Sequence, residues 1–295
     1  MCNRLKYLFK RKNINYDWEK EMKILKEKLK NSYISILDYF NEAFKLFWYF
    51  IKKEKRWIFL IFSILLISAM LENKLQTDVE LDLKENTKYI FYNHFLTYPL
   101  YATYWVLYRK IIFKLTDKKE NYNILKSYIR AFITVIIISI PILIITICNF
   151  YMNFFQYNYS YLLFLLTSQI LLITLIFTAI MVCVFIYFLQ VHMSKDLSLR
   201  KTLKYTLKVS KSNRWRYIVC FLIENIAFVI IKEIIKIVVA FFIIGLHIDI
   251  KNIGMLVFKA FIENFVPALS AIYSISLISI IFVNVDYQKQ KENIK

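Results

Sequence analysis

The sequence contains very little glycine and proline: of 295 residues, only 2 are Gly and 3 are Pro. Soluble domains with many tight turns need more of these residues, because chain reversals favour the backbone angles that they tolerate. The shortage also excludes a phosphate-binding glycine loop and a dinucleotide fingerprint, which both need several closely spaced glycines. With 59% hydrophobic residues, the composition favours an all-α membrane protein.

Residues that bind metals or act as nucleophiles are also few and scattered. They are Cys2, Cys148, Cys183, Cys220, His94, His192 and His247. Their spacing matches neither a disulfide framework nor a zinc site, and no H-E-x-x-H motif occurs. We therefore expect no metal, no cofactor and no enzymatic activity.

Long apolar runs predict six transmembrane helices within residues 57–284, since about 20 helical residues cross a bilayer core of roughly 30 Å. The stretch from Ala131 to Ser194 contains no Asp, Glu, Lys or Arg and is long enough for two spans. Its two halves are separated by the polar and aromatic residues of NFYMNFFQYNYS. The other four predicted spans are residues 57–71, 89–108, 217–246 and 253–284.

The charges between these runs alternate along the chain. Lys and Arg outnumber Asp and Glu in three segments: residues 1–56 (15 Lys/Arg and 7 Asp/Glu), 109–130 (7 and 2) and 191–216 (8 and 1). No such excess occurs in residues 72–89 (3 and 5), 151–160 (none) and 246–258 (1 and 1). The positive-inside rule then places both termini, including a short tail at residues 285–295, in the cytoplasm. Much Ile, Lys and Asn with little Gly indicates an AT-rich bacterial genome, so we predict the bacterial inner membrane.

The net charge of +19 could suggest a nucleic-acid partner, but that function needs a basic face on a soluble fold. Here the charges lie mainly between apolar runs, so we predict no nucleic acid and instead anionic lipid at the cytoplasmic face. Residues 1–56 form a basic amphipathic region. Its apolar residues recur at steps of three and four from Trp18 to Ile51, which predicts a helix on the membrane surface. Packing of this helix against the protein's own loops or a partner is the alternative.

Two stretches resemble a known group of membrane proteins: ILDYFNEAFKLFWYFIKKEKRWIFLIF and DLSLRKTLKYTLKVSKSNRWRYIVCFLIENI. In each, an amphipathic helix passes through a basic and aromatic step into a span. The chain thereby resembles poorly characterised bacterial six-helix proteins, namely the YciC-like membrane proteins and the membrane domain fused to some glycerophosphodiester phosphodiesterases. The resemblance implies a six-helix architecture and no particular activity, and no phosphodiesterase domain is present in this sequence.

The fifth and sixth predicted spans carry ionisable and amide side chains at helical spacing. These residues are Glu224, Asn225, Lys232, Glu233, Lys236, Lys259, Glu263 and Asn264. Ionisable groups inside a membrane are costly and usually face the helix bundle or water. Because the three Lys and three Glu sum to zero charge, we predict a mutually neutralising cluster between the two spans.

Three functions for this cluster stay open. It could fix the pairing of the two helices, or belong to a stretch of the fifth span that bends along the outer interface. It could form a polar pathway, which would make the protein a small transporter or permease component. It could also serve an intramembrane enzyme through Glu224 or Glu263. The first alternative favours a multi-pass membrane protein without a catalytic site, acting in the envelope or with a membrane-protein partner.

Overall fold

The computed structural model describes residues 18–65, 83–116, 123–157, 161–184, 186–245 and 253–292. Within these ranges the side chains of 18, 83–96, 153–157, 183, 239–240, 242–245 and 253–264 are not described. Every regular element in these ranges is a helix, as the composition predicts. The helices are α1 (Trp18–Asn31), α2 (Ile36–Lys53), α3 (55–65), α4 (Leu83–Thr116), α5 (Ile124–Tyr157), α6 (Tyr161–Val184), α7 (Phe188–Ser194), α8 (Leu199–Ser210), α9 (Arg214–Gly245) and α10 (Ile253–Glu292).

Three of the described segments are long and apolar enough to cross a membrane: Ile124–Met152, Tyr161–Val182 and Phe265–Glu292. The protein therefore has membrane-spanning character, but three such segments and not six meet this criterion. Two predicted spans are less apolar than this criterion requires, and their sequences show why. The fifth, in α9, is interrupted by its Glu and Lys residues, and the second, in α4, is rich in tyrosine. The first lies only in part within the described residues.

The buried core surrounds the second half of α10. Tyr39, Leu46 and Phe50 of α2 are fully or almost fully buried against it. Helix α4 also packs against α10 and contributes Tyr108 and Ile112, which are equally buried. The N-terminal amphipathic region is therefore an integral part of the fold from α1 onward, since Leu25 and Leu29 of α1 are buried in the same core. For this face of α2, the alternative of packing against the protein itself is the one that the structure supports.

The N-terminal stripe forms two helices instead of one continuous helix. It breaks at residues 32–35, where the Ser35 hydroxyl accepts a hydrogen bond from the Asp38 backbone N–H and caps α2. Asn284 of α10 holds this turn: its amide donates to the carbonyls of Leu29 and Ser32, both at 2.8 Å. Its Oδ1 accepts from the Tyr39 hydroxyl at 2.6 Å. A single buried amide thus ties the turn to the core.

The predicted C-terminal tail is partly helical and packed. Residues up to Glu292 continue α10, and Val285 within this stretch is fully buried. Gln288 donates to the carbonyls of Leu29 and Lys30 at the end of α1. These contacts explain why the helix continues beyond residue 284.

The α5–α6 hairpin differs from the core in its exposure. Both helices follow the predicted third and fourth spans, and they pack against each other. No residue in the Tyr161–Val182 segment of α6 is buried within the protein. A helix that is apolar on every side and has no buried residue in this segment suits a surface that faces lipid.

Candidate functional site

Glu224 is the one member of the predicted cluster that the described residues place in a buried position. It lies on α9, is 2% exposed, and accepts a hydrogen bond through Oε1 from the Ser274 hydroxyl of α10. Its second oxygen, Oε2, has no hydrogen-bond partner among the described residues. The two helices therefore meet through a polar contact at this position, with a serine as the partner, and the predicted cluster of Lys and Glu stays a prediction.

The other described members of the cluster do not join Glu224. Glu233 and Lys236 form an exposed ion pair on α9 itself, with 2.7 Å between Lys236 Nζ and Glu233 Oε1. Lys232 is half-buried, and Asn225 is exposed and donates to the Phe221 carbonyl of its own helix. Nine residues, about 14 Å of helix, separate Glu224 from Glu233. The remaining members, Lys259, Glu263 and Asn264, have side chains outside the described residues.

A second polar cluster lies where α4, α5 and α7 meet. The Arg109 guanidinium of α4 donates to both carboxylate oxygens of Asp196, at 3.1 and 3.2 Å. Arg130 of α5 donates to the same carboxylate at 2.7 Å. Two guanidinium groups therefore share one carboxylate, which leaves a surplus positive charge. The hydrogen bond from Arg109 lowers the pKa of Asp196, so the carboxylate stays ionised.

His192 of α7 extends this cluster, which we call the arginine cluster (Arg109, Arg130, His192 and Asp196). Its ring lies 3.2 Å from the Arg130 guanidinium and stacks on the Phe188 ring. Burial, and then the two neighbouring arginines, lower the pKa of His192 to about 4. The imidazole is therefore neutral at pH 7 and can accept a hydrogen bond from Arg130.

The short connection from α7 to α8 is anchored on both sides. Arg130 donates to the carbonyls of Lys195 and Leu197, at 3.2 and 3.3 Å. The Lys195 ammonium lies 2.9 Å from the Asp286 carboxylate of α10. Tyr205 of α8 donates to the same carboxylate. These bonds hold α8 in place beside the ends of α5 and α10.

A basic pocket of about 440 Å³ lies at the junction of α2 and α3. It contains residues 53–57 (KEKRW), the basic and aromatic step before the first predicted span. One residue of α4, Lys110, also lines it, and its ammonium is 2.6 Å from the Glu54 carboxylate. Five cations surround this single carboxylate, giving a net charge of +4. The residues lining the pocket are Lys52, Lys53, Glu54, Lys55, Arg56, Trp57 and Lys110.

Helix α8 has an unusual distribution of side chains. Its buried face consists of small residues, including the fully buried Thr202 and Thr206. Its leucines point outward instead: Leu199, Leu203 and Leu207 are 58%, 37% and 43% exposed. Helix α2 has a comparable outer stripe, with Leu37, Phe44 and Trp48 exposed. Lysines and arginines adjoin both stripes, as in helices that lie at a membrane interface.

The sequence did not predict the arginine cluster. In the sequence, Arg109, Arg130 and Asp196 lie in segments whose charges indicate only the orientation of the neighbouring spans. One signal was available: Asp196 is the single acidic residue among eight basic ones in residues 191–216. A lone carboxylate in a basic segment indicates a specific partner. The identity of that partner depends on the tertiary contact between α4, α5 and α7.

The part of the chain with described side chains contains no group of three His, Cys, Asp or Glu residues placed to hold a metal ion. No family model, curated protein or solved structure matches the chain. The resemblance to YciC-like proteins therefore stays a prediction.

Proposed function

We propose that this chain is a multi-pass protein of the bacterial inner membrane, with six spans and both termini in the cytoplasm. In this proposal it has no catalytic site and binds anionic lipid at its cytoplasmic face, as a component of the envelope or of a membrane-protein assembly. The observation that carries the proposal is the leucine stripe of α8, which is exposed beside a row of cations.

The geometry of α8 supports an interfacial position. At 100° per residue, the buried threonines, the exposed leucines and the cations Lys201, Lys204 and Lys208 occupy three successive sectors of the helix. The leucine sector therefore borders the cationic one. Leucines in the hydrocarbon and lysines at the headgroups would satisfy both sectors, whereas water would leave the leucines exposed.

The lengths of α4 and α9 support the two spans that fall short on composition. With 34 and 32 residues, these helices measure about 51 and 48 Å, more than a bilayer core of roughly 30 Å needs. The exposed pair Glu233–Lys236 lies toward the far end of α9, about 30 Å from its start. Placed at the outer interface, this pair would be solvated by headgroups and water instead of hydrocarbon.

The proposal is tested by measuring the depth of α8 in a bilayer. In a cysteine-free background, a nitroxide label at position 203 replaces a leucine of the stripe, and a label at position 208 replaces a lysine of the cationic sector. In nanodiscs containing phosphatidylglycerol, oxygen should relax the label at 203 most strongly, and a water-soluble nickel chelate should relax the label at 208. Equal access of the nickel chelate to both labels would contradict an interfacial α8.

Glu224 favours one second candidate, a small transporter. A buried carboxyl group with an unpartnered oxygen between two long apolar helices can bind and release a proton or a cation. Transport by this route predicts that Glu224→Gln abolishes proton-coupled uptake by proteoliposomes but leaves the protein folded. The exposed position of Glu233 and Lys236 argues against a continuous polar path through the described part of α9.

A further inference from the structure

A groove of about 670 Å³ runs along α5, beside α7 and the start of α8. One side of α5 forms its floor, through Lys126, Arg130, Ile133 and Ile137, which recur at steps of three and four. The walls are mainly apolar. They include Phe188 of α7 and the two leucines that flank Ser198, namely Leu197 and Leu199.

The groove is polar at one end only. Lys126 and Arg130 lie near the start of α5, whereas the isoleucines lie one to three turns further along. From Lys126 to Ile137 the helix rises about 17 Å, roughly the depth of one leaflet of a 30 Å core. Because α5 enters the membrane from its basic end, the polar end lies at headgroup level and the apolar part within one leaflet.

The polar end has an excess of positive charge. Arg109, Arg130 and Lys126 are three cations, and Asp196 is the carboxylate that lies among them. His192, the remaining titratable group, is neutral at pH 7. Net charge is thus +2, and the Lys126 ammonium has no hydrogen-bond partner among the described residues. An anionic headgroup would be complementary to this charge.

We propose that this groove binds one anionic phospholipid, with its phosphate beside Lys126 and Arg130 and an acyl chain along Ile133 and Ile137. The inference rests on the proposed function, because it requires α5 to cross the bilayer. Lys126 supplies the direct contact. Arg130 uses its donors on Asp196, His192 and two backbone carbonyls, so it contributes mainly charge.

The apolar length of the groove identifies a lipid as the ligand rather than a soluble anion. A free phosphate would gain nothing from Ile133 or Ile137, which lie further along α5 than the charged end. These isoleucines are about half exposed (52% and 56%), so the structure leaves apolar surface uncovered beside the cations. An acyl chain would cover this surface while its own headgroup stays at the polar end.

The test is native mass spectrometry of the full chain, released from detergent and titrated with phosphatidylglycerol or with phosphatidylcholine of the same acyl chains. One tightly bound phosphatidylglycerol per chain is expected, with weaker binding of phosphatidylcholine. Lys126→Gln should weaken phosphatidylglycerol binding about five-fold, the effect of one lysine at a membrane surface. Lys236→Gln, in the exposed ion pair toward the far end of α9, is the control and should leave this binding unchanged.

A second pair of variants tests the apolar part. Ile133→Trp should fill the groove and weaken phosphatidylglycerol binding by at least five-fold, whereas Ile173→Trp on the exposed surface of α6 should not. Both replaced side chains are more than half exposed, so neither change disturbs the core. Thermal unfolding of each purified variant verifies that it is folded. Inorganic phosphate at the same concentration should not displace the lipid.

Equal binding of the two lipids, or full binding by Ile133→Trp, would overturn the inference. Displacement of the lipid by inorganic phosphate would also overturn it, since the site would then recognise a soluble anion. The label at position 203 separates this failure from a failure of the proposed function. If that label lies in hydrocarbon while phosphatidylglycerol binding is absent, only the lipid site is wrong.

Discussion

Helices α6 and α10 are both long and apolar, and hydroxyls on both bond to their own backbone, but α10 also carries buried amides that bond to another segment. On α6, the hydroxyls of Thr167, Thr174 and Thr178 donate to carbonyls of α6 itself, four residues earlier. On α10, Asn284 and Gln288 bond across to the turn after α1. Bonds within one helix need no neighbouring segment. Bonds from a helix to another segment hold that segment against it.

This difference has a physical origin. A hydroxyl that faces lipid has no water to bond with, so it bonds to the backbone of its own helix. A buried amide can satisfy two carbonyls and two donors at once, and thereby fixes the position of another segment. Apolar residues make both helices suited to a membrane, but the packing of the chain also depends on the buried amides of α10 and on the ion pairs that α4 and α10 form with the connection after α7.

The largest effect is expected at Asn284. Replacing it in Asn284→Leu removes its bonds to Leu29 and Ser32 and leaves the buried Tyr39 hydroxyl without an acceptor. We expect a loss of about 3–5 kcal/mol in unfolding free energy, measured by denaturant unfolding of the full chain in detergent. Asn225→Leu on α9 is the matched control, because that amide bonds only to its own helix. Equal losses for the two variants would contradict the difference between amides that bond to another segment and amides that bond within their own helix.

A similar contrast is expected for apolar side chains. Ile112 of α4 is 2% exposed, whereas Ile173 of α6 is 67% exposed. Ile112→Ala should create a cavity and cost about 2–4 kcal/mol. Ile173→Ala should cost less than about 1 kcal/mol, because lipid or detergent fills the space. Comparable midpoints for the two variants in the same unfolding assay would mean that α6 is covered by protein.

For ion pairs we also expect a larger loss of stability at the more buried contact than at the exposed one, but the losses should be smaller. Asp196→Asn leaves Arg109 and Arg130 facing each other without an anion, and we expect a loss of about 2 kcal/mol. Half of the Asp196 side chain is exposed, which limits the loss. Glu233→Gln, in the exposed pair with Lys236, should change unfolding free energy by less than about 0.5 kcal/mol. A larger effect at Glu233 would show that this pair holds a contact between helices.

Acidification should weaken the arginine cluster through His192. Its pKa is about 4 in the folded protein and 6.5 when unfolded, so the unfolded chain binds more protons between these values. Stability is therefore complete above pH 6.5 and falls as the pH decreases toward 4, by at most about 2 kcal/mol at pH 5. Thermal unfolding at pH 7.5 and pH 5 measures this change. His192→Gln should reduce the loss of stability between pH 7.5 and pH 5. If the loss is unchanged in that variant, groups other than His192 cause it.

The helical class and the α5–α6 hairpin could be predicted from the sequence, because uncharged runs of this length have few other structures. The break after α1 could not be predicted, because residues 32–35 continue the amphipathic pattern of the sequence. Only the tertiary contact with Asn284 distinguishes them. The predicted charge cluster illustrates the same limit. Helical spacing predicts a charge cluster between the two spans, but the bond of Glu224 with Ser274 and the pairing of Lys236 with Glu233 depend on side-chain conformation.

The orientation of the α5–α6 hairpin tests the central claim most directly, because the membrane location and the lipid-facing role of α6 both depend on it. Paired fusions of alkaline phosphatase and green fluorescent protein after Tyr157 and after Lys204 report the side of the membrane that each end occupies. The account predicts phosphatase activity after Tyr157 and fluorescence after Lys204. Fluorescence at both positions, without phosphatase activity after Tyr157, would mean that α5 and α6 do not cross the membrane and would contradict the account.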